Sequence, residues 1–347
     1  MKKLFALAAI STLLLSACSG GSGSSISLSS APKFEGKMVI TPQFDWAADF
    51  SEGLAMVALG DSYENWKWGY IDKSGKYVIN PTYKNARPFT DGLAAVSNDS
   101  GENALWGFID KSGKMVINPQ FSAVDMFSDG LAGACIKSND ELKCGFIDKA
   151  GKWAIEPQFG GIQTFGEGKA GVGVGTGTNL KWGFIDKKGK FVINPQFDGV
   201  GVFAEGLVAV GKITDAENEE YSWGFADKTG KIIIKQDLVG FASSYYTYQF
   251  SEGLASFNLK SGENYLMGYL DSKGMYAITP QFNQAYPFHG GVAAVSATVG
   301  ENELFGFIDK SGKYVVNPQY AWAGSFVEGK AAVGIKEGEK LKFGYLS

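Results

Sequence analysis

Seven aspartates recur at one position of the chain: Asp72, Asp110, Asp148, Asp186, Asp227, Asp271 and Asp309. A second set of acids stands immediately before glycine, at Glu52, Asp91, Asp129, Glu167, Glu205, Glu252 and Glu328, with Gly290 in the one place where an acid is expected. Carboxylates so arranged suggest two kinds of chemistry. One is a ring of cation ligands. The other is turn formation, in which each carboxylate accepts hydrogen bonds from nearby backbone. Every Asp of the first set opens an Asp-x-x-Gly sequence, and every acid of the second precedes Gly, both of which are turn signals. No calcium loop of Asp-x-Asp-x-Asp spacing accompanies them. Both sets read as turn residues, and neither a metal nor a cofactor is expected.

Other reactive types are sparse. His289 is the single histidine; it lies beside Gly290 in an expected surface turn and cannot build a histidine-based metal site. The chain carries no Gly-x-Ser-x-Gly elbow and no phosphate-cradling Gly-x-x-x-x-Gly-Lys-Ser/Thr loop. Gly171-Val-Gly-Val-Gly175 has glycines at dinucleotide-loop spacing but opens no helix. A carboxylate-based hydrolase would need acids that break the repeat and converge with shifted pKa values. None stands out, so no catalytic residue is expected. The recurrent aromatics Trp68, Trp106, Trp182, Trp223, Phe305 and Phe343 offer a sugar-stacking face or core packing, and their periodicity favours core.

These residues are positioned by a repeat. The glycine after the aromatic falls at Gly69, Gly107, Gly145, Gly183, Gly224, Gly268, Gly306 and Gly344, in steps of 38, 38, 38, 41, 44, 38 and 38 residues. Within one unit Phe108-Ile109 is a short strand, Asp110 to Gly113 a turn, and Lys114 to Ile117 a second strand that Pro119 ends. Phe121 to Phe127 is a weaker strand or extended loop, Asp129-Gly130 a turn, and Leu131 to Ile136 a last strand. An all-β array follows, with units the size of a propeller blade. The ends of the array complement each other. It starts at Lys37-Met-Val-Ile-Thr-Pro42 without a preceding Trp-Gly strand, and stops at Lys342-Phe-Gly-Tyr-Leu346 with that strand alone. Pairing the two ends makes a closed, propeller-like ring of eight units and removes exposed sheet edges; an open, twisted β-solenoid is the alternative.

The recurring Trp-Gly-Phe-Ile-Asp-Lys-x-Gly-Lys, then Val-Ile-x-Pro-Gln-Phe, then Phe-x-Glu-Gly-Leu-Ala resembles the WG-repeat (KWG-repeat) family over residues 33–347. The resemblance implies a bacterial repeat protein, often exported, and brings no catalytic residues. Cys144 and Met267 replace the aromatic in two units, and Gln236 replaces a proline.

The first residues read as targeting. Lys2 and Lys3 precede an apolar stretch from Leu4 to Leu15, and Leu15-Ser-Ala-Cys18 resembles the bacterial lipobox. The expectation is a signal peptide over residues 1–17, lipid on Cys18, and a Gly/Ser tether over 18–32. By the same resemblance, Ser19 rather than Asp after the lipid cysteine implies outer-membrane sorting in a Gram-negative source. Cys135 and Cys144 then remain, on two arms of one expected hairpin, and an exported compartment permits a disulfide between them. Net charge is -4 with no basic stripe, which argues against nucleic acid.

Function, on this reading, lies in what departs from the repeat. The hairpin 214–220 is lengthened and acidic, and the segment 241–248 carries six extra residues. Tyr245, Tyr246 and Tyr248 form either an exposed recognition patch or a self-packed loop. The expectation is a lipid-anchored, non-catalytic binding or scaffold module of the cell envelope, with a protein or glycan partner. A purely structural envelope protein is the alternative, and a hydrolase the remoter one.

Overall fold

A computed structural model describes residues 34–101, 103–138, 141–175, 179–215, 220–241, 248–261 and 264–347. The expected signal peptide, Cys18 and the whole of the tether lie outside the described residues, as do Tyr245 and Tyr246.

Each unit supplies the third and fourth strands of one four-stranded antiparallel sheet and the first and second of the next, and eight such sheets form a β-propeller. Blade 1 contains Trp46–Ser51, Leu54–Leu59, Lys67–Asp72 and Tyr77–Tyr83. Blades 2 to 7 occupy 85–121, 123–159, 161–197, 199–241, 250–282 and 284–320. Blade 8 is composite. Its first three strands, Trp322–Ala323, Ala331–Glu337 and Lys340–Leu346, come from the end of the chain. Its fourth, Met38–Phe44, comes from the start and pairs antiparallel with the third, Met38 opposite Leu346 and Phe44 opposite Phe343. This pairing closes the ring and excludes the open solenoid. The weak segment 121–127 becomes a first strand, Ala123–Ser128, of the next blade.

The repeat sequence accounts for the blade. Third strands such as Lys67–Asp72 are buried along their middle because neighbouring blades cover both faces. Fourth strands alternate, with Val39, Val78, Val116, Val192 and Val315 turned to solvent. The glycine after the aromatic lets the fourth strand cross closely: a Cβ on Gly69 would sit 2.5 Å from Ile79 O and 2.6 Å from Pro81 N. The register between third and fourth strands shifts at this crossing.

Aromatic pairs join blade to blade. An aromatic on the third strand meets the phenylalanine at or just past the end of the next blade's first strand, as in Tyr70–Phe89, Phe108–Phe127, Phe146–Phe165 and Tyr345–Phe50, with centroids 4.7–4.9 Å apart. Where that aromatic is tyrosine, its hydroxyl also donates 2.7 Å to a backbone carbonyl of the next blade: Tyr70 to Arg87, Tyr269 to Tyr286, and Tyr345 to Ala48.

The junction of blades 7 and 8 differs. Phe34, from the segment leading into the ring, packs 4.6 Å from Phe307 and 4.8 Å from Phe326, bridging the two blades. Its neighbours tie to the chain end, with Glu35 N–H donating to Ser347 O at 2.8 Å and Ser347 N–H to Lys37 O at 2.9 Å. The segment therefore enters on the face that bears the Asp-x-x-Gly and acid-Gly turns, here the turn face. The opposite face carries the hairpins between second and third strands and the links between blades.

Candidate functional site

The seven Asp-x-x-Gly aspartates sit in turns, not in a shared site. Asp72 Oδ1 accepts from Ser74 N–H at 2.8 Å, Lys76 N–H at 3.1 Å and Ser74 Oγ–H at 2.6 Å, and Gly75 takes φ of 87°. Asp110, Asp227 and Asp309 repeat this set, and Asp148, Asp186 and Asp271 repeat its backbone bonds. Hydrogen bonding to the ionised form holds Asp72, Asp110 and Asp309 below the usual carboxylate range, the side-chain hydroxyl being the largest cause. Among the described residues no group of three potential ligands could hold a metal ion.

The acids before glycine are turn residues that also reach across to the next blade, which the sequence does not announce. Glu52 accepts from Gly92 N–H at 3.0 Å, Asp91 from Gly130, Asp129 from Gly168, Glu167 from Gly206, Glu205 from Gly253, Glu252 from Gly291 and Glu328 from Gly53. All seven adopt φ between 50° and 55°, a conformation costly for residues with a side chain. Lysines of the neighbouring turn add ion pairs, Lys111 to Glu52 and Lys310 to Glu252 at 3.1 Å. Gly290 leaves the blade 7–8 junction without such a clasp, and a Cβ there would lie 2.7 Å from Phe326 Cδ1. The exception in the sequence and the wedge of Phe34 occur at the same junction.

Cys135 and Cys144 stand opposite each other on paired strands of blade 3 and form a disulfide, with Cα atoms 4.0 Å apart. Tyr248 is not part of an exposed patch. It is 1% exposed and packs 5.6 Å from the Trp223 ring, because it sits on the approach to the first strand of blade 6, where blade 5 covers it. Burial pushes its phenol upward. His289 is half-buried rather than on the surface, its Nε2 has no hydrogen-bond partner, and burial lowers its pKa. Of the recurrent aromatics, Trp68, Trp223, Phe305 and Phe343 are buried, and Trp106 and Trp182 half-buried, as core residues would be.

The departures from the repeat that the structure brings together lie elsewhere. On the hairpin face, Tyr63, Trp66, Trp46 and Trp322 form a continuous aromatic strip, with successive centroids 5.3, 6.1 and 5.2 Å apart. Tyr63 is 60% exposed, on a single 3-10 turn, Tyr63–Asn65, in the blade 1 hairpin. Trp46 and Trp322 begin the first strands of blades 1 and 8; the same position holds Asn85, Ala123, Gly161, Gly199 and Gln284 in other blades. Lys342 pairs with Asp45 at 2.6 Å beside the strip.

Further along the blade 1 first strand stands Asp49, where other units carry Pro88, Met126, Thr164, Val202, Gln249, Pro287 and Ser325. It is 7% exposed. Oδ2 accepts from Ser325 N–H at 3.2 Å, while Oδ1 has no hydrogen-bond partner. Desolvation pushes its carboxyl up to about 7, against the pull of the Ser325 N–H. Asp49, like Asp125 one position earlier in the register of blade 3, is an acid that breaks the repeat, and it differs from Asp125 in having a carboxylate oxygen without a partner. The signal is present in the sequence, but only alignment of the first, incomplete unit with its sisters displays it.

Comparison with known proteins follows the architecture. No curated protein matches the chain in sequence. Similar solved structures are a prolyl endopeptidase (TM-score 0.53, 10% identity, 88% of this chain and 53% of that one) and the acylaminoacyl peptidase of Pyrococcus horikoshii (0.50, 10%, 91% and 53%). Another is the β-propeller domain of the Trilobed protease from Pyrococcus furiosus, which has an open velcro topology (0.50, 10%, 88% and 94%). The chain thus spans about half the length of the two whole peptidases, and at these identities the likeness shows the fold alone. The WG containing repeat family matches residues 35–63, 68–100, 106–139, 145–175, 182–212, 223–235, 267–296 and 305–337, and all but 223–235 run from the last strands of one blade into the first two of the next; the chain belongs to that family.

Proposed function

We propose that this protein is a lipid-anchored, extracytoplasmic, non-catalytic binding module that holds a protein or glycan partner on its hairpin face. The observation that carries this reading is the aromatic strip Tyr63–Trp66–Trp46–Trp322. Its residues lie outside the repeat consensus, which would be needless for packing alone, and it reaches from an exposed hairpin toward the centre of the ring. Aromatic side chains give large contact area at low entropic cost. The chain enters the ring on the turn face, so a lipid on Cys18 followed by a Gly/Ser tether leaves the hairpin face directed away from the membrane. The clasps and turn aspartates of the other face are engaged in holding the ring.

The test uses the chain from Ser19 onward, which retains every strand of the ring. Immobilised through its N-terminus, it is expected to retain a specific component of an envelope extract. Tyr63→Ala with Trp66→Ala should abolish retention while leaving the thermal midpoint within a few degrees. Equal retention by the double variant would remove the strip from the binding surface and overturn the reading.

A further inference from the structure

Asp49 is a buried carboxylate with one hydrogen bond and no cation among the causes of its shift. Placing a charged carboxylate out of water costs several kcal/mol unless a partner compensates it, and an unsatisfied buried group calls for an occupant or a role. Its surroundings are specific. Just past the adjoining first strand of blade 8, Gly324 leaves room for it: a Cβ there would run into Asp49 Oδ1 and lie 3.0 Å from Trp322 Cη2. The free carboxylate oxygen and the indole edge therefore border the same point. Ser325 Oγ, on the next residue, also lacks a partner, as does Trp46 Nε1. Trp322 lies 5.2 Å from Trp46 and beside the Tyr286 phenol from blade 7. Three blades thus gather three aromatic rings and one uncompensated carboxylate.

We propose that this junction of the first strands of blades 7, 8 and 1 binds an ammonium group, seated between Trp322, Trp46 and Tyr286 with Asp49 as its counter-ion. The inference rests on reading the hairpin face as the partner-binding face, and names the chemical group that face takes. The sign of the ligand follows from the site. Carboxylate and aromatic faces both attract a cation and both disfavour an anion. A neutral hydroxyl would satisfy Oδ1 but gain nothing from the ring quadrupoles. The neighbouring hairpins of blades 1, 7 and 8 carry Asp61, Glu64, Glu301, Glu303, Glu337 and Glu339 against four lysines, so the field above the site also favours a cation. The ammonium could belong to a lysine side chain of a protein partner or to a small quaternary ammonium compound; the chemistry is shared.

Two probes separate these sources. Choline is titrated against its uncharged carbon isostere 3,3-dimethylbutan-1-ol, and acetyl-Gly-Lys-Gly-amide against the norleucine peptide, by calorimetry and tryptophan fluorescence on the chain from Ser19 onward. At least one cation should bind saturably and tenfold or more tighter than its neutral counterpart. Its affinity should rise at least tenfold from pH 5 to pH 8, as Asp49 gives up its proton. The Tyr286 and Tyr345 phenols interact electrostatically with Asp49, and burial keeps both neutral over that range. Asp49→Asn should weaken binding tenfold or more and flatten the pH dependence. Should that variant fail to fold, Trp322→Ala, checked by circular dichroism, should weaken cation binding by a similar factor. Equal affinity for the neutral isosteres, pH-independent binding, or no saturation by either cation overturns the proposal. If the cations fail while the strip still retains a partner from extract, the ammonium assignment falls alone and the binding face stands.

Discussion

Asp49 sets a measurable property of the folded state at the scale of one residue. Its folded pKa, about 7, lies above the ordinary value of 3.8. The folded protein therefore keeps a proton that the unfolded chain releases. The associated stabilisation is fully present below about pH 4 and is lost as pH rises through 7, on the order of 4 kcal/mol in total. The phenols of Tyr286 and Tyr345, which interact electrostatically with Asp49, do not titrate in this window. Urea midpoints of the protein and of Asp49→Asn, measured from pH 4.5 to 7.5, should diverge, the protein losing stability relative to the variant. Parallel curves would mean that Asp49 is solvated. The carboxamide keeps an acceptor for Ser325 N–H, so the comparison isolates the charge.

The acid-Gly turn shows, at the scale of the element, how a strained backbone and a long-range bond coincide. Glu52 holds φ of 53° and accepts from Gly92 of the next blade. Substituting Ala keeps the strain and loses the bond, a loss of about 1–2 kcal/mol for a partly exposed pair. Substituting Gly loses the bond but relieves the backbone. Glu52→Ala should therefore be less stable than Glu52→Gly by about 1 kcal/mol in urea denaturation. The reverse order would show that the left-handed turn is not strained. This element also marks where the sequence was legible. Asp-x-x-Gly and acid-Gly declare their turns through side chains and glycines a few residues apart, and Cys135 and Cys144 declare theirs through one hairpin. The cross-blade reach of Glu52 spans 40 residues and leaves no local mark. Trp46 and Trp322 are 276 residues apart and meet only because the ring closes. Tyr248 misled for a related reason. An inserted segment reads as a surface loop, yet its last tyrosine fills an inter-blade space beside Trp223.

At the scale of the whole molecule, seven of the eight junctions carry an acid clasp, and the eighth relies on Phe34. Phe34→Ala should cost about 3 kcal/mol, as expected for emptying a buried aromatic site. Gly290→Ala should also destabilise, since its Cβ would press on Phe326 and its φ of 60° disfavours a side chain. The two effects should be coupled: in the Phe34→Ala background Phe326 can retreat, so Gly290→Ala should cost less there than in the intact protein. Strict additivity in this cycle would show that wedge and glycine are independent.

The composite eighth blade also constrains the order of events during biosynthesis. Met38–Phe44 emerges about 300 residues ahead of its partner Lys340–Leu346. Because the chain is delivered with its N-terminus first, that strand stays unpaired until almost all of the chain has followed. Throughout that interval its backbone donors and acceptors remain available to any other unpaired strand. Two chains completed side by side could trade these leading strands, each finishing the other's last blade with the same hydrogen bonds. The folding protein is thus most exposed to swapped dimerisation just before its final residues arrive.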